Sequence, residues 1–194
     1  MLDGTAESIE RLVHDLSEAD QLQLLSLLRR KFPIHPLESE FGAPAEVILE
    51  AISRSSDLSK RGVLGLIAEA AFKVHVLDRL PSWTQLPVPP DAAFDFLIEC
   101  GGRRVSIQVK RQRLERHQPK RWREDGELLV VETQRTRTGK DHRGEATRPY
   151  RFGEFDVLAV SMQPSTDDWT SFRFAPQRRL RPRSDDPTCL AVLQ

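Results

Sequence analysis

Cysteine is scarce in this sequence: Cys100 and Cys189 are the only two, far apart and without histidine-rich surroundings. That excludes a zinc-ligand pattern, which needs closely spaced pairs, and a disulfide framework, and it points to an intracellular, cytoplasmic protein. Long apolar runs are missing as well. None approaches the roughly 20 residues of a membrane span, and Met1-Leu2-Asp3-Gly4-Thr5 lacks the basic-then-apolar plan of a signal peptide. No internal repeat or low-complexity tract interrupts the 194 residues, a length suited to one well-buried domain with a small appendage.

Net charge is also absent, with Lys+Arg and Asp+Glu equal at 29 each. The distribution is not even. Residues 1–100 hold nine basic and sixteen acidic side chains, residues 101–150 hold fourteen and seven, and the remainder is balanced. A basic block in the middle of the chain is what a phosphate-backbone binder needs; its alternative is a solvated loop with dispersed charges.

The basic block opens at the most structured stretch of the sequence, Phe94-Asp95-Phe96-Leu97-Ile98-Glu99-Cys100-Gly101-Gly102-Arg103-Arg104-Val105-Ser106-Ile107-Gln108-Val109-Lys110. Two alternating segments joined by Gly-Gly predict a β-hairpin. With Gly101 and Gly102 as the loop, Cys100 faces Arg103 and Asp95 faces Gln108. One face then carries Phe94, Phe96, Ile98, Val105, Ile107 and Val109, and the other Asp95, Leu97, Glu99, Arg104, Ser106, Gln108 and Lys110. Directly opposed Cβ atoms lie about 4.5–5.5 Å apart, so an Asp carboxylate and a Gln amide oxygen can meet one hard cation with Lys110 beside it.

An Asp followed on the hairpin by Gln108-Val109-Lys110 resembles the PD-(D/E)XK nuclease superfamily, with its restriction-endonuclease-like fold, in the Gln-x-Lys form. The resemblance covers Arg61 to Phe174. It departs from the commoner pattern in having Gln108 for Glu and Phe94 before Asp95; the only Pro-Asp pair is Pro90-Asp91. It implies an α/β (α+β mixed sheet) fold, divided into an N-terminal helical region over 1–58 and a nuclease-like domain over 59–194. It also gives a reason for Glu69, which sits within the apolar Ile67-Ala68-Glu69-Ala70-Ala71: the superfamily's first core helix often points a Glu at the metal site. A Glu at the helix rim, bonded to a backbone or Arg neighbour, is the alternative.

Around this hairpin the periodicity predicts two short helices over residues 6–16 and from Ser17-Glu18-Ala19-Asp20, a linker over 34–43, and a helix over 45–53 led by Pro44. These helices suit dimerisation, DNA clamping, or plain packing. A largely buried helix is predicted over 61–80, a short strand over 82–88, a further strand over 127–134, a central strand over 153–162, an edge strand over 169–174, and an extended surface tail from Pro176. Arg111, Arg113, Arg135, Arg137, Lys140, Arg148, Tyr150 and Arg151 form the candidate DNA-contacting set, since Arg and Lys neutralise phosphates and Arg reads guanine bidentately. A long surface loop without contact is the other reading.

The resemblance implies metal-assisted hydrolysis of a DNA phosphodiester. Mg²⁺, or Mn²⁺ in its place, would be held by Asp95, the Gln108 oxygen, the Val109 carbonyl and Glu69, with Lys110 orienting the attacking water. The partner expected is double-stranded DNA and not a membrane, with a homodimer as the family's usual assembly. A type II restriction-type endonuclease of a restriction-modification system is the expected activity; a repair or structure-specific nuclease, or an inactive DNA-binding relative, are the alternatives. Asp95→Ala is expected to stop cleavage with folding near normal, and Asp91→Ala to keep most activity.

Overall fold

The computed structural model describes residues 3–32, 35–116, 118–122, 129–134 and 149–194. The chain divides into two compact units, residues 1–60 and 61–194. The first is helical: α1 (Asp3–His14), α2 (Glu18–Lys31), α3 (Leu37–Phe41) and α4 (Ala45–Arg54). Ser17 caps α2 by accepting from the Asp20 backbone N–H, as its Ser-x-x-acid sequence predicts. The stretch expected to be a linker contains α3, which stops at Gly42 in the left-handed conformation, φ +60°.

The second unit takes up most of α5 (Asp57–His75), followed by a 3-10 turn, β1 (Thr84–Leu86), β2 (Phe96–Cys100), β3 (Arg103–Arg111), the short strands β4 (Leu114–Glu115) and β5 (Gln118–Pro119), β6 (Val157–Ser161), α6 (Gln163–Thr166) and β7 (Phe172–Pro176). β1, β2, β3, β6 and β7 form one five-stranded sheet in that order; β3 and β6 are parallel and the other neighbours antiparallel. This is an α+β fold with a mixed sheet and β3 at its centre. The register set by the glycines holds, with Cys100 opposite Arg103 and Phe96 opposite Ile107. Gly101 and Gly102 both have positive φ, +56° and +77°, which the two central residues of a tight hairpin turn require.

One face of the sheet packs on α5. Phe72 is fully buried against Phe96, Ile98, Ile107, Val109 and Ala159, with ring centroids 5.5 Å from Phe96 and 5.4 Å from Phe172. Truncating such a side chain to Ala costs about 3–5 kcal/mol. The helix as a whole is less buried than its composition predicts. Only Ala68, Ala71 and Phe72 are buried, while Leu66, Ile67 and Val74 are exposed.

The opposite face is also covered, by a second cluster of Val131, Tyr150, Phe155, Leu158, Val160, Met162 and Leu190. Here the chain departs from two expectations. The tail from Pro176 does not lie extended over the surface: Cys189 and Leu190 are buried, bridging to Arg151 and Pro182, and Leu193 bridges to Glu132. Residues 129–134 make isolated bridges rather than a continuous strand, yet Val130, Val131 and Thr133 are buried. The apolar side chains there pack by distant partners, which alternation within one segment does not encode.

Candidate active site at the bend before β2

Asp95 lies in a bend immediately ahead of β2, and its backbone N–H donates to the Ile107 carbonyl at 2.9 Å. The bend breaks the alternation of the strand. Phe94 packs with the second cluster while Phe96 belongs to the first, so Phe94 does not share the face of Phe96 as strict alternation predicts. Asp95 nevertheless meets Gln108. Its Oδ2 accepts from Gln108 Nε2 at 2.5 Å and from the Val109 backbone N–H at 2.7 Å.

Gln108 is 3% exposed, in register with Leu158 of the second cluster, and its Nε2 also donates to the Val109 carbonyl at 3.0 Å. The polar face of β3 is therefore enclosed at Gln108, while Arg104 near the turn is exposed. Lys110, two residues on, holds its ammonium 5.3 Å from the centre of the Tyr150 ring, a cation–π contact worth about 0.5–2 kcal/mol depending on solvation.

Glu69, half-buried on α5, is the fourth member. Burial, and after it the Asp95 carboxylate, raise its carboxyl from the ordinary 4.5 to about 7 against the opposing Lys110 ammonium. Burial raises Asp95 as well, against the pull of the Val109 N–H and Lys110. Two carboxyls and one ammonium thus share a partly desolvated site in which the carboxyls are poorly compensated.

The chemistry of the donors fits a hard cation. Asp95, Glu69, the Gln108 amide oxygen and the Val109 carbonyl are all oxygen ligands, which suits Mg²⁺ or Mn²⁺ and not zinc. Among the described residues no group of three or more His, Cys, Asp or Glu gathers as a metal site. The amide of Gln108 presents nitrogen, not oxygen, to Asp95. A cation held by both side chains needs that amide turned over.

The remaining candidates are dispersed. Arg111 is half-buried, donating through Nη2 to Gln163 at 2.8 Å and lying 5.9 Å from the Trp169 ring centre. Arg113 pairs with Glu132. Arg151 donates to Thr188 at 3.2 Å. Tyr150, expected to touch DNA, is 4% exposed, its ring edge-on to Phe155 and beneath Lys110; it is a core residue. Arg135, Arg137, Lys140 and Arg148 lie outside the described residues. Asp156 ties β6 to β3, its Oδ2 accepting from the Ser106 N–H at 2.8 Å and the Ser106 hydroxyl at 2.7 Å.

Two supports do not follow from the sequence reading: the Val109 N–H that fixes Asp95, and the Tyr150 ring under Lys110. The first follows from the bend. The second has a sequence signal only in the aromatic spacing of Tyr150, Phe152 and Phe155.

No protein-family model matches this chain, and no curated protein does. Over 58% of its length the chain is similar in structure to a bacterial homing endonuclease, I-Ssp6803I, at 24% identity and a TM-score of 0.38. The match spans 66% of that chain, just under two thirds, and is too slight to carry an argument. No helix among the described residues is long and apolar enough to cross a membrane.

Proposed function

We propose that this chain is a metal-dependent DNA endonuclease with a PD-(D/E)XK-like site, hydrolysing phosphodiester bonds as a type II restriction-type enzyme. The observation that carries the reading is the convergence of Asp95, Glu69, Gln108 and Lys110, with both carboxyls raised above their ordinary range. Carboxyls held in that state favour a cation or a proton between them. Mg²⁺ bound by Asp95, Glu69, the Gln108 oxygen and the Val109 carbonyl would neutralise charge on the phosphate and acidify a bound water. Asp95 is kept in place by the Val109 N–H, which fixes one carboxylate oxygen and leaves the other to act. Lys110, steadied by the Tyr150 ring, supplies a cation for the attacking water or the developing phosphate charge. The basic segment over 101–150 supplies charge for the duplex.

One observation favours a second reading. Gln108 Nε2 and Asp95 satisfy each other directly, an arrangement that suits a relative which binds DNA without cutting it. Incubating supercoiled plasmid with the purified chain and Mg²⁺ or Mn²⁺ separates the two. The nuclease nicks or linearises the plasmid, and Asp95→Asn does not; a chain that shifts DNA mobility under every divalent condition without a cut is the inactive binder.

A further inference from the structure

The C-terminal segment brings a further set of cations to the face of the sheet opposite α5. Gln177–Arg179 is a 3-10 turn, in which residues three apart share a side. Gln177 is buried and Leu180 packs on the second cluster, so Arg178 and Arg179 between them point outward, and Arg181 just beyond is exposed as well. The backbone of Arg181 is pinned. Its N–H donates to Gln194 Oε1 at 2.6 Å, and its carbonyl accepts from Gln194 Nε2 at 2.9 Å and from the Ala191 N–H at 2.8 Å. Its guanidinium lies over the Trp122 ring, 4.5 Å from the centre. That contact joins the tail to the basic block of residues 101–150, from which the sequence separates it.

Carboxylates in the same segments are already satisfied. Glu132 is matched by Arg113, Glu115 by Lys120 and Asp185 by Arg183, while Asp186 accepts from the Thr188 N–H and hydroxyl. Arg178, Arg179 and Arg181 have no carboxylate partner among the described residues. Three outward guanidiniums so close in sequence, one of them braced on an indole and held by its backbone, are pre-organised for phosphate oxygens. Their place in the fold sets them near the candidate site. Arg181 pairs with Ala191, and the neighbouring Leu190 N–H donates to the Tyr150 carbonyl at 2.7 Å. Two strand spacings, about 10 Å, therefore separate the backbone of Arg181 from that of Tyr150, whose ring lies beneath Lys110. A duplex at Lys110 covers that distance in about three base pairs. We propose that Arg178, Arg179 and Arg181, the last positioned by Trp122, contact the phosphate backbone of double-stranded DNA engaged at Lys110. The inference rests on the DNA-binding part of the nuclease reading and does not depend on cutting.

The test is fluorescence anisotropy of a labelled DNA duplex with the full chain in chelator, over a salt series, so that neither metal nor cleavage contributes. Wild type is compared with the triple variant Arg178→Ala/Arg179→Ala/Arg181→Ala, with Arg181→Lys, and with the control Arg79→Ala, an exposed arginine in the turn whose Leu77 packs on the α5 side. The triple variant should bind about tenfold or more weakly at physiological salt, with a log–log slope shallower by about 0.9 for each phosphate given up. Arg181→Lys keeps the charge and loses the planar contact with Trp122, so it should keep the slope and lose affinity. The control should match the wild type. Every replaced side chain is exposed, and far-ultraviolet circular dichroism should be unchanged in all the variants. A wild type that does not bind the duplex, a triple variant with the wild-type slope, or a control that loses as much overturns the proposal. So does a triple variant that releases phosphatidylserine vesicles or polyglutamate while holding DNA as tightly as before, since the patch is then a membrane or acidic-protein contact. Duplex binding that depends on the three arginines, with no cut when Mg²⁺ is added, upholds the proposal and removes only the cleavage step.

Discussion

Replacing Glu69 by Gln should make the metal-free protein more stable at alkaline pH and leave it little changed at acid pH. The carboxyl titrates near 7 in the folded chain, against an ordinary 4.5, chiefly because the site is partly desolvated. Between those values the folded state keeps a proton that the unfolded chain has lost. Protonation therefore favours the fold fully below about pH 4.5, and that contribution is lost as pH rises through 7. At about 1.4 kcal/mol per unit the whole shift amounts to about 3 kcal/mol. Glu69 is only half-buried, and solvent screening reduces this to about 1–2 kcal/mol. An amide of the same shape does not titrate. Urea unfolding of wild type and Glu69→Gln in chelator, at pH 5 and pH 8, cancels every other titration in the difference. The gap should open in favour of the variant by about 1–2 kcal/mol across that window, and saturating Mg²⁺ should close it by stabilising the charged wild-type site. Parallel pH profiles would refute the placement of Glu69 in a desolvated carboxyl pair.

Asp95→Ala should be worse than the removal of a ligand, because it strips the acceptor from the Val109 N–H and the Gln108 amide; a buried unsatisfied donor costs about 1–3 kcal/mol. The sequence leads one to expect near-normal folding of this variant and the hydrogen bonds at Asp95 a loss of stability, so Asp95→Asn, which keeps an acceptor, is the variant that should lose cleavage with thermal unfolding close to wild type. Gln108→Glu should lower the divalent concentration for half-maximal cleavage, since it adds a charged oxygen ligand; a higher requirement in a folded variant counts against Gln108 as a ligand. Tyr150→Leu should reduce turnover with DNA affinity unchanged, by a barrier of about 1–2 kcal/mol, and Tyr150→Phe should restore it; a raised KM instead would make the tyrosine a substrate contact. Arg135→Ala with Arg137→Ala should flatten the log–log salt dependence of DNA binding by about 0.9 for each phosphate that the two side chains neutralise, and an unchanged slope would make that segment a bystander.

The site was legible in the sequence where local rules determine it. A Gly-Gly turn dictates one register, and register alone puts Asp95 beside Gln108 and Lys110 on the face of Gln108. Glu69 was legible as a carboxylate among small and apolar residues, in want of a partner. The bend at Asp95 was not. It depends on the Asp95 N–H reaching Ile107 and on Phe94 finding the second cluster, both settled by tertiary packing. Nor was the second cluster, which gathers Val131, Tyr150, Phe155 and Leu190, residues too distant for any periodicity to join. Tyr150 was read by its basic neighbours and folded by its ring.

Leu190, on the far side of the sheet from α5, sets an order of events during synthesis. Part of the α5 face is near in sequence, since Phe72 meets Phe96, Ile98, Ile107 and Val109 within a short span of chain, and Ala159 and Phe172 join it later. The other face waits. Lys110 is made early but its tyrosine comes forty residues later, and the second cluster closes only when Leu190 arrives. A growing chain halted between Met162 and Leu190 would already hold Leu158, Val160 and Met162 but lack the last member of their cluster. Assembly of the acidic pair with its lysine is thereby tied to completion of the fold, and a nascent fragment carries the residues of the site without the site itself.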